Sequence, residues 1–417
     1  MKRSNIIKSG MLLTTIASVI PAISYAGFVE DGVVRLDLRN FYLNRDFDGT
    51  TPDVGSWSQG IDVQYFSGYT DTAIQVGLDA SGQQAYKFHS EGNDGTLPYD
   101  TFAQEAKDDY GRAGVTLKLK YSKTELKIGD HRPHLPVAWD DTSRQLDTIY
   151  EGAVLQSDEI DGLSLTLGRF WEVVTRNSSD KEKMYLYPNF NGKRSDGLDF
   201  AGATYQLSDA LSATYFYGNL KDIYTQNYFG IEHKMALTDS INMKTDVRYF
   251  DNQDEGKALY GSIDGSALGA RLTFTSGSHM LAVSYQEMDS DWFFPTLNGY
   301  VPQPFLLHWS NAAFINADEK SMGIRYGYDF TAAGAAGLNL FTQYIKGTDI
   351  DIHAGGPGSA VIDDNAWQSE RDFVLSYQFQ NPMLKGLGLQ WQNIDIKKSF
   401  TDGYMENRLV ATYTTQF

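Results

Sequence analysis

Apolar side chains recur at every second position in one segment of the chain after another. Between residues 33 and 39, valine and leucine alternate with arginine and aspartate, so one face of the segment is apolar and the other is charged. The same alternation occurs at residues 115–121, 241–249, 268–274 and 322–328. A period of two is that of a β-strand whose two faces meet different surroundings. The pattern predicts an all-β protein, because helical periodicity is nowhere comparable.

About eighteen such strands follow one another along the chain. We predict strands that start near residues 33, 57, 72, 110, 123, 146, 161, 198, 210, 223, 240, 265, 278, 319, 336, 369, 385 and 404. Tight turns are expected at 122–123, 208–209, 237–239 and 276–278, and long connections at 89–109, 174–197, 289–318 and 347–368. Short turns at one rim and long loops at the other are typical of a transmembrane antiparallel β-barrel. A soluble sandwich has no reason to separate its loops by length.

Aromatic residues occur toward the ends of the apolar faces, where an amphipathic ring can rest at the level of lipid headgroups. They include Tyr42, Tyr65, Tyr69, Tyr121, Tyr249 and Tyr328. The alternative, that these rings pack in the core of a sandwich, stays open on this observation alone. The final strand carries Phe417 on its apolar face, which resembles the assembly signal of outer-membrane barrels. The barrel-assembly machinery is therefore an expected partner.

The first residues have the pattern of an export signal. Met1, Lys2 and Arg3, with Lys8, precede the apolar stretch 11–20, which is followed by a proline and a small-residue end at Ala26. This is the order of regions in a secretory signal peptide. We predict that residues 1–26 are removed and that residues 27–417 form a single barrel domain. The alternative is a buried helix at the N-terminus of the mature protein.

Composition removes several other classes of protein. The 417 residues include no cysteine, which excludes disulfide scaffolds and thiolate metal sites. No run reaches the roughly 18 apolar residues that a membrane-spanning helix requires. The formal net charge is −18, and it becomes −21 without the three basic residues of the signal. Since a nucleic-acid partner needs a basic face, no such partner is expected.

The chain carries no recognisable catalytic motif. Neither a Gly-x-Ser-x-Gly elbow nor a His-Glu-x-x-His zinc motif occurs, and the glycines at 354–358 are expected in a turn. His131 and His134 beside Asp140 and Asp141 form only a loose grouping of metal-ligand types. We predict no catalytic residues, no bound metal and no cofactor. A barrel that carries a hydrolase site, or one that binds partners at the surface, remains the alternative to a channel.

Several segments together resemble the OprD-type porins, also called outer-membrane carboxylate channels. The resemblance covers almost the whole mature chain and rests on residues 27–31, 38–46, 58–60, 67–70, 108–114, 220–224, 345–351 and 406–410. It implies a monomeric, eighteen-stranded barrel in the outer membrane of a Gram-negative bacterium, surrounded by lipid and lipopolysaccharide. It also implies a substrate-specific diffusion channel for small carboxylate or zwitterionic solutes, such as amino acids or organic acids.

The family resemblance further implies that the third extracellular loop folds inward and narrows the pore. Here that loop is expected at residues 131–144, where two prolines and bulky apolar residues favour a stiff segment. On residue chemistry alone, an ordinary solvated loop is an equally good interpretation. The candidate constriction residues are His131, Arg132, Pro133, His134, Pro136, Trp139, Asp140 and Asp141.

In the family, a ladder of basic side chains on one wall guides the carboxylate. By motif, Arg39 and Arg408 match this ladder, whereas Gln390 and Gln392 stand where arginines are expected, so the ladder is thinned. Strand parity turns further basic residues inward, namely Arg35, Arg271, Arg325, Lys118 and Lys120, and also Lys127, Lys244 and Arg248. Parity places acidic residues opposite them, namely Asp37, Asp62, Asp79 and Glu125, with Asp246 as a further one.

Overall fold

The chain forms a single closed sheet of eighteen antiparallel strands. The computed structural model describes residues 26–189, 191–298, 303–353 and 360–417. The predicted export signal therefore lies outside the described residues except for Ala26, which begins a short helix, α1 (Ala26–Glu30). The helices in the described part of the chain include none that is long and apolar enough to cross a membrane.

The strands follow the predicted order along the chain. They are β1 (Val33–Phe47), β2 (Val54–Phe66), β3 (Gln75–Glu91), β4 (Asp109–Tyr121), β5 (Thr124–His131), β6 (Ile149–Ile160), β7 (Leu163–Val174), β8 (Leu198–Ser208), β9 (Leu211–Leu220), β10 (Tyr224–Ala236), β11 (Asn242–Asp254), β12 (Gly265–Ser276), β13 (His279–Ser290), β14 (Lys320–Asp329), β15 (Leu338–His353), β16 (Val361–Gln378), β17 (Leu387–Lys398) and β18 (Tyr404–Gln416).

Closure is made by the first and last strands. Each strand pairs antiparallel with the next, and β1 also pairs with β18, in a register that sets Arg39 opposite Thr412. Val34 and Phe417 exchange backbone hydrogen bonds of 3.2 and 2.9 Å. A closed sheet leaves no edge of unpaired backbone groups, which is the condition for spanning lipid. The predicted transmembrane barrel is confirmed.

The two faces of the sheet have the inverted polarity of a membrane barrel. On β18, the outward Leu409 is 54% exposed, while the inward Glu406 is fully buried. On β12, Leu268 and Leu272 face outward, whereas Arg271 faces inward and binds Asp246 on β11. Apolar side chains on the outside and polar ones within are what hydrocarbon around the sheet requires.

The connections differ between the two rims. At one, the short-turn rim, the connections are 67–74, 122–123, 161–162, 209–210, 237–241, 277–278, 330–337 and 379–386, the last two containing 3-10 turns at Phe330–Ala333 and Pro382–Leu384. At the other, the long-loop rim, they include 92–108, 132–148, 175–197, 255–264 and 291–319. The segregation is incomplete, because 48–53, 221–223 and 399–403 at the long-loop rim are short.

The predicted long connection at 347–368 is wrong. β15 and β16 continue as a hairpin beyond the ends of their neighbours, and bulged pairing sets Ile350 opposite Ala366 and His353 opposite Val361. β16 therefore begins eight residues before the predicted 369. The physical reason is that Val361 to Asn365 are exposed on both faces of the strand, so no apolar face marks this part by a period of two.

A hydrophobic core lies inside the barrel and is formed largely by loops. Residues of the segments 132–148, 175–197 and 291–319 pack against inward aromatic side chains of the wall, such as Phe170 and Phe250. Leu186–Tyr187 pairs with Thr296–Leu297, and the Gln303 side chain donates to the Pro136 carbonyl at 2.6 Å. The three loops are therefore one packed body within the lumen. A further two-residue pair, Tyr99–Asp100 with Glu105–Ala106, lies in the connection 92–108.

Candidate pore constriction

The loop after β5 runs inward as a stiff segment. His131 is the last residue of β5 and β6 begins at Ile149, so the connection is 132–148, slightly longer than the predicted 131–144. His134–Leu135 pairs with Ala138–Trp139 in a miniature hairpin, and the backbone N–H of Asp140 donates to the Pro133 carbonyl. The prolines limit the backbone, since each fixes φ and lacks a donor.

Arg39 ties this loop to β1. Its Nη1 donates to the carbonyl oxygen of Thr142 at 3.0 Å and also to that of Arg144. In return, the Gln145 side chain donates to the Arg39 carbonyl at 2.8 Å. Hydrogen bonds from a charged donor in a partly buried setting are among the stronger ones. The predicted ladder residue therefore also holds the candidate constriction loop in place.

Other arginines fix the remainder of the loop. Arg132 binds Asp62 at 2.7 Å and Asp147 at 3.2 Å. Arg176, from the loop 175–197, binds the buried Asp141 at 2.5 Å. Because a buried carboxylate left without its partner is costly, these pairs favour one position of the loop.

Arg112 on β4 joins the loops 132–148 and 175–197. Its guanidinium donates to the Asp147 carbonyl and, at 2.8 Å, to that of Thr175. Its position in the matched segment 108–114 could have marked it, but the carbonyls that it binds lie far along the chain and no sequence pattern indicates them.

The histidines and aspartates at 131–141 do not converge on one point, since only His134 and Asp140 contact each other. His131 contacts the Gly152 carbonyl at 3.2 Å, and His134 Nε2 lies 2.8 Å from Asp140 Oδ1. Asp141 forms its ion pair with Arg176. Burial raises the pKa of Asp140 to about 6, with His134 acting in the opposite sense. Asp140 can therefore change its charge in the weakly acidic range. Trp139 packs its ring against His134 and Phe305.

The loop 291–319 forms a second inward wall that the sequence analysis did not assign to the constriction. Arg248 donates to the Pro304 carbonyl and Arg325 to the Leu307 carbonyl, each at 2.8 Å. His308 lies between the hydroxyls of Ser284 and Ser321, at 2.7 Å from each. Burial lowers the pKa of His308 to about 3, so the imidazole is neutral there. The predicted inward orientation of the two arginines was the one sequence signal that could have indicated a wall at this place.

Two cavities meet at Arg39. The larger, of about 510 Å³, lies toward the long-loop rim, and three of the predicted ladder arginines line it: Arg39, Arg325 and Arg408. The smaller, of about 240 Å³, lies toward the short-turn rim and is lined by Arg35 and again by Arg39. The loop 132–148 contributes residues to both, so it crosses the lumen between them. A third cavity, of about 440 Å³, is lined by Lys127 and by residues 130–135.

The seam arginines are evenly spaced. Register sets Arg35 opposite Gln416, Arg39 opposite Thr412 and Arg408 opposite Leu43. Each step is four residues, roughly 13 Å along a strand. Three guanidiniums thus follow one wall from one rim toward the other.

Comparisons with known proteins agree with this architecture. A family model described as "outer membrane porin, OprD family" matches residues 26–417. The chain belongs to the OprD family of outer membrane porins. It is 31% identical to the porin-like protein GalP of Pseudomonas putida, over 93% of this chain and 92% of that one, and 32% identical to Porin D of Pseudomonas aeruginosa, over 81% and 77%. A crystal structure of Pseudomonas aeruginosa OpdK with vanillate superposes with a TM-score of 0.87 at 32% identity, covering 94% of this chain and all of that one.

This porin neutralises several of its lumen charges locally. Lys118 binds Asp79 at 2.6 Å and Arg35 binds Asp37 at 2.7 Å. Glu125 is bound by Lys127 and by the Tyr69 hydroxyl, and Lys120 lies over the Tyr69 ring. Each acidic residue predicted to oppose the basic ones therefore has a basic neighbour, as Asp62 has in Arg132. Arg271, Lys118 and Lys120 do not line the larger cavity of the porin, as far as the described residues define it.

Arg408 shares the buried Glu406 with Arg45 on β1, whose guanidinium is 2.6 Å from the carboxylate. Gln392 lies directly across from Arg408, and its side chain donates to that of Gln390. Both glutamines line the larger cavity, as their predicted inward orientation requires. The neighbouring strand of the porin thus contributes amides where a further cation could stand.

Asp372 on β16 also lines this cavity and was missed by the sequence analysis. Its Oδ2 accepts hydrogen bonds from Gln343 at 2.6 Å and from Ser310 at 3.1 Å. Strand parity could have found it, because Ser376 and Gln378 on the same strand have the same orientation. The porin therefore presents three guanidiniums and one carboxylate to a single solute-sized space.

Proposed function

We propose that this porin admits small solutes that carry a carboxylate, such as organic acids and zwitterionic amino acids, through successive contacts with Arg35, Arg39 and Arg408. The observation that carries the proposal is the position of Arg39, which lines both cavities where the loop 132–148 crosses the lumen. A solute that passes from one cavity to the other must pass this guanidinium.

The chemistry of guanidinium suits the task. Its planar fork can bind a carboxylate through two parallel hydrogen bonds, and a narrow channel with few waters strengthens such contacts relative to bulk water. A step of roughly 13 Å between rungs keeps the contacts separate. A solute can therefore move between several binding sites of moderate affinity, as conduction requires.

Asp372 extends the proposal to zwitterions. A solute held by a guanidinium at its carboxylate could direct an ammonium group toward the Asp372 carboxylate in the same cavity. The related OpdK barrel was crystallised with vanillate, an aromatic carboxylate, and this pairing supports a carboxylate as the solute here. Gln390 and Gln392 in place of cations should permit faster transit and broader selectivity.

Matched solutes test the proposal in liposome swelling with the purified porin. Benzoate should pass faster than benzamide, which has almost the same shape but no charge. Para-aminomethylbenzoate, which adds an ammonium, should be slowed by Asp372→Asn, while benzoate is not. Equal rates for benzoate and benzamide would overturn the carboxylate proposal.

Single-channel recording in planar bilayers separates a channel from the alternative of a barrel hydrolase. We expect discrete conductance steps, and we propose that the porin acts by diffusion without turnover. Release of cleaved lipid or peptide without conductance would contradict this.

We further propose that Phe417 is recognised by the barrel-assembly machinery and that the porin is a monomer. Phe417 is 76% exposed, so its ring is available for recognition by the barrel-assembly machinery, while its backbone pairs with Val34. We expect a monomer, as the resemblance to the OprD-type porins implies.

A further inference from the structure

Three basic side chains stand together on the outer face of the barrel near the long-loop rim. They are Lys346 on β15, Arg371 on β16 and Lys397 on β17. Their outward orientation follows from their chain neighbours Ile345, Glu370 and Ile396, which are fully buried on the lumen side. Cations on the lipid-facing side of a barrel are costly within the hydrocarbon, so their depth decides what they can do.

The register makes these three residues a compact cluster. Ser369 is paired with Lys346 on one side and with Lys397 on the other. Since paired residues of neighbouring strands are about 5 Å apart, the two lysines stand roughly 10 Å apart with Ser369 between them. Arg371 is two residues along β16, roughly 7 Å nearer the membrane centre. The cations therefore surround the Ser369 position on three sides.

Little negative charge opposes them. Arg371 donates to the Asn393 side chain at 2.8 Å and lies 3.9 Å from a carboxylate oxygen of Asp395. Lys346 lies 5.8 Å from the centre of the Trp367 ring. Among the described residues, no carboxylate is within 4 Å of the amino group of Lys346 or Lys397. Asp395 is the acid nearest to the three cations, while Asp349, further toward the long-loop rim, is 3.8 Å from Lys320.

An apolar and aromatic surface lies directly toward the membrane centre from the cluster. Tyr344 is paired with Arg371 and is exposed on the outer face, and further toward the membrane centre the rings of Phe373 and Trp391 pack at 5.6 Å. Aromatic residues of this kind mark the level of the lipid headgroups. The cations are thus at or just beyond the headgroups of the outer leaflet, where long basic side chains can extend toward water.

We propose that this cluster binds the phosphate of a phosphorylated glycolipid of the outer leaflet, with acyl chains along Tyr344, Phe373 and Trp391. A phosphate carries up to two charges and several acceptor oxygens, which match two ammonium groups and one guanidinium fork. The apolar surface below suits acyl chains and offers nothing to a soluble anion. The binding site lies on the outside of the barrel and is separate from the solute path.

The test uses the purified, detergent-folded porin and native mass spectrometry with added bisphosphorylated lipid A. The triple variant Lys346→Gln, Arg371→Gln, Lys397→Gln should weaken binding at least ~10-fold, since it removes several charge-assisted hydrogen bonds. The control variant Lys123→Gln, Lys221→Gln, Lys385→Gln removes the same charge elsewhere on the surface and should bind like the unmodified porin. Lipid A without its phosphates should bind the unmodified porin as weakly as phosphorylated lipid A binds the triple variant.

Single-channel conductance checks that the triple variant is folded, and it should be unchanged because the cluster lies outside the lumen. Equal binding by the triple and unmodified proteins would overturn the proposal. An equal loss in the control variant, or undiminished binding of the dephosphorylated lipid, would also overturn it, because binding would then depend on net charge or on acyl chains alone.

Discussion

Arg39 and Thr142 are 103 residues apart in the chain, yet Arg39 Nη1 donates a 3.0 Å hydrogen bond to the Thr142 carbonyl oxygen. One guanidinium therefore lines two cavities and also fixes the loop 132–148, the candidate constriction. If the proposed solute path is right, selectivity and pore width are coupled at this residue.

Substitution of Arg39 and of Arg408 should consequently have different effects. Arg408→Gln should lower carboxylate uptake about tenfold with little change in the uptake of neutral solutes, because a charge-assisted hydrogen bond contributes about 1.5–3 kcal/mol. Arg39→Gln should lower carboxylate uptake and also increase conductance fluctuations, since the loop loses its tie to β1. Liposome swelling with charged and neutral solutes and bilayer recordings measure the two effects. An equal loss for both solute types in Arg408→Gln would mean damaged folding, and the ladder assignment would be withdrawn.

Adding positive charge on β17 should increase the preference of the channel for anions, the opposite of the effect expected for Arg408→Gln. Gln390→Arg with Gln392→Arg places two guanidiniums beside Arg408 in the larger cavity. A unit charge about 10 Å from an ion changes its energy by about 2 kcal/mol at an effective dielectric constant of about 20. The reversal potential in a salt gradient should shift toward that of an anion channel. A matched Asn393→Gln with Asn407→Gln variant alters amides on the outer face and should leave it unchanged.

Removal of the loop tests the constriction directly. Deletion of residues 133–141 should raise single-channel conductance by roughly twofold or more, because the stiff segment between the two cavities is lost. Conductance that stays unchanged in a barrel shown to be folded by its heat-modifiable migration would show that this loop does not form the narrowest region.

Acidity should alter selectivity through Asp140. Burial raises the pKa of this carboxyl to about 6, so the group is charged at neutral pH and neutral at about pH 5. Loss of a negative charge from the constriction should increase anion preference as the pH falls through about 6. Asp140→Asn should show the low-pH selectivity at all pH values. Burial also raises the pKa of Glu319 to about 7, so Glu319→Gln is the control that should retain the transition near 6.

His308 should hold the loop 291–319, the second inward wall, in place through its two hydrogen bonds. His308→Leu removes both hydrogen bonds to Ser284 and Ser321 and leaves two buried hydroxyls to find new partners, at about 1–3 kcal/mol each. We expect larger and noisier conductance as the loop 291–319 loosens. His308→Gln, which can retain one hydrogen bond, should have a smaller effect. Identical recordings for all three proteins would show that this histidine does not hold the loop.

The alternation of side chains predicted the barrel because lipid and lumen impose opposite demands on each strand, as on β18 with Leu409 and Glu406. It did not predict the upper parts of β15 and β16, where both faces meet water or protein and Val361 to Asn365 show no alternation. Arg39 was found by motif and parity. Its bond to Thr142 was not, because the path of a loop across the lumen depends on many distant contacts, and a neutral histidine between two serines has no sequence pattern.

Because several loops turn into the lumen, the β15–β16 hairpin is a segment of the long-loop rim that projects outward. Much of the segments 132–148 and 291–319 is buried in the lumen, whereas the β15–β16 hairpin projects past its neighbours and exposes residues such as Ile362. An antibody or a phage that approaches from outside would meet this hairpin before it met the constriction. Substitutions in the projecting, described part of this hairpin therefore change what such a partner meets without altering the residues that line the two cavities at Arg39.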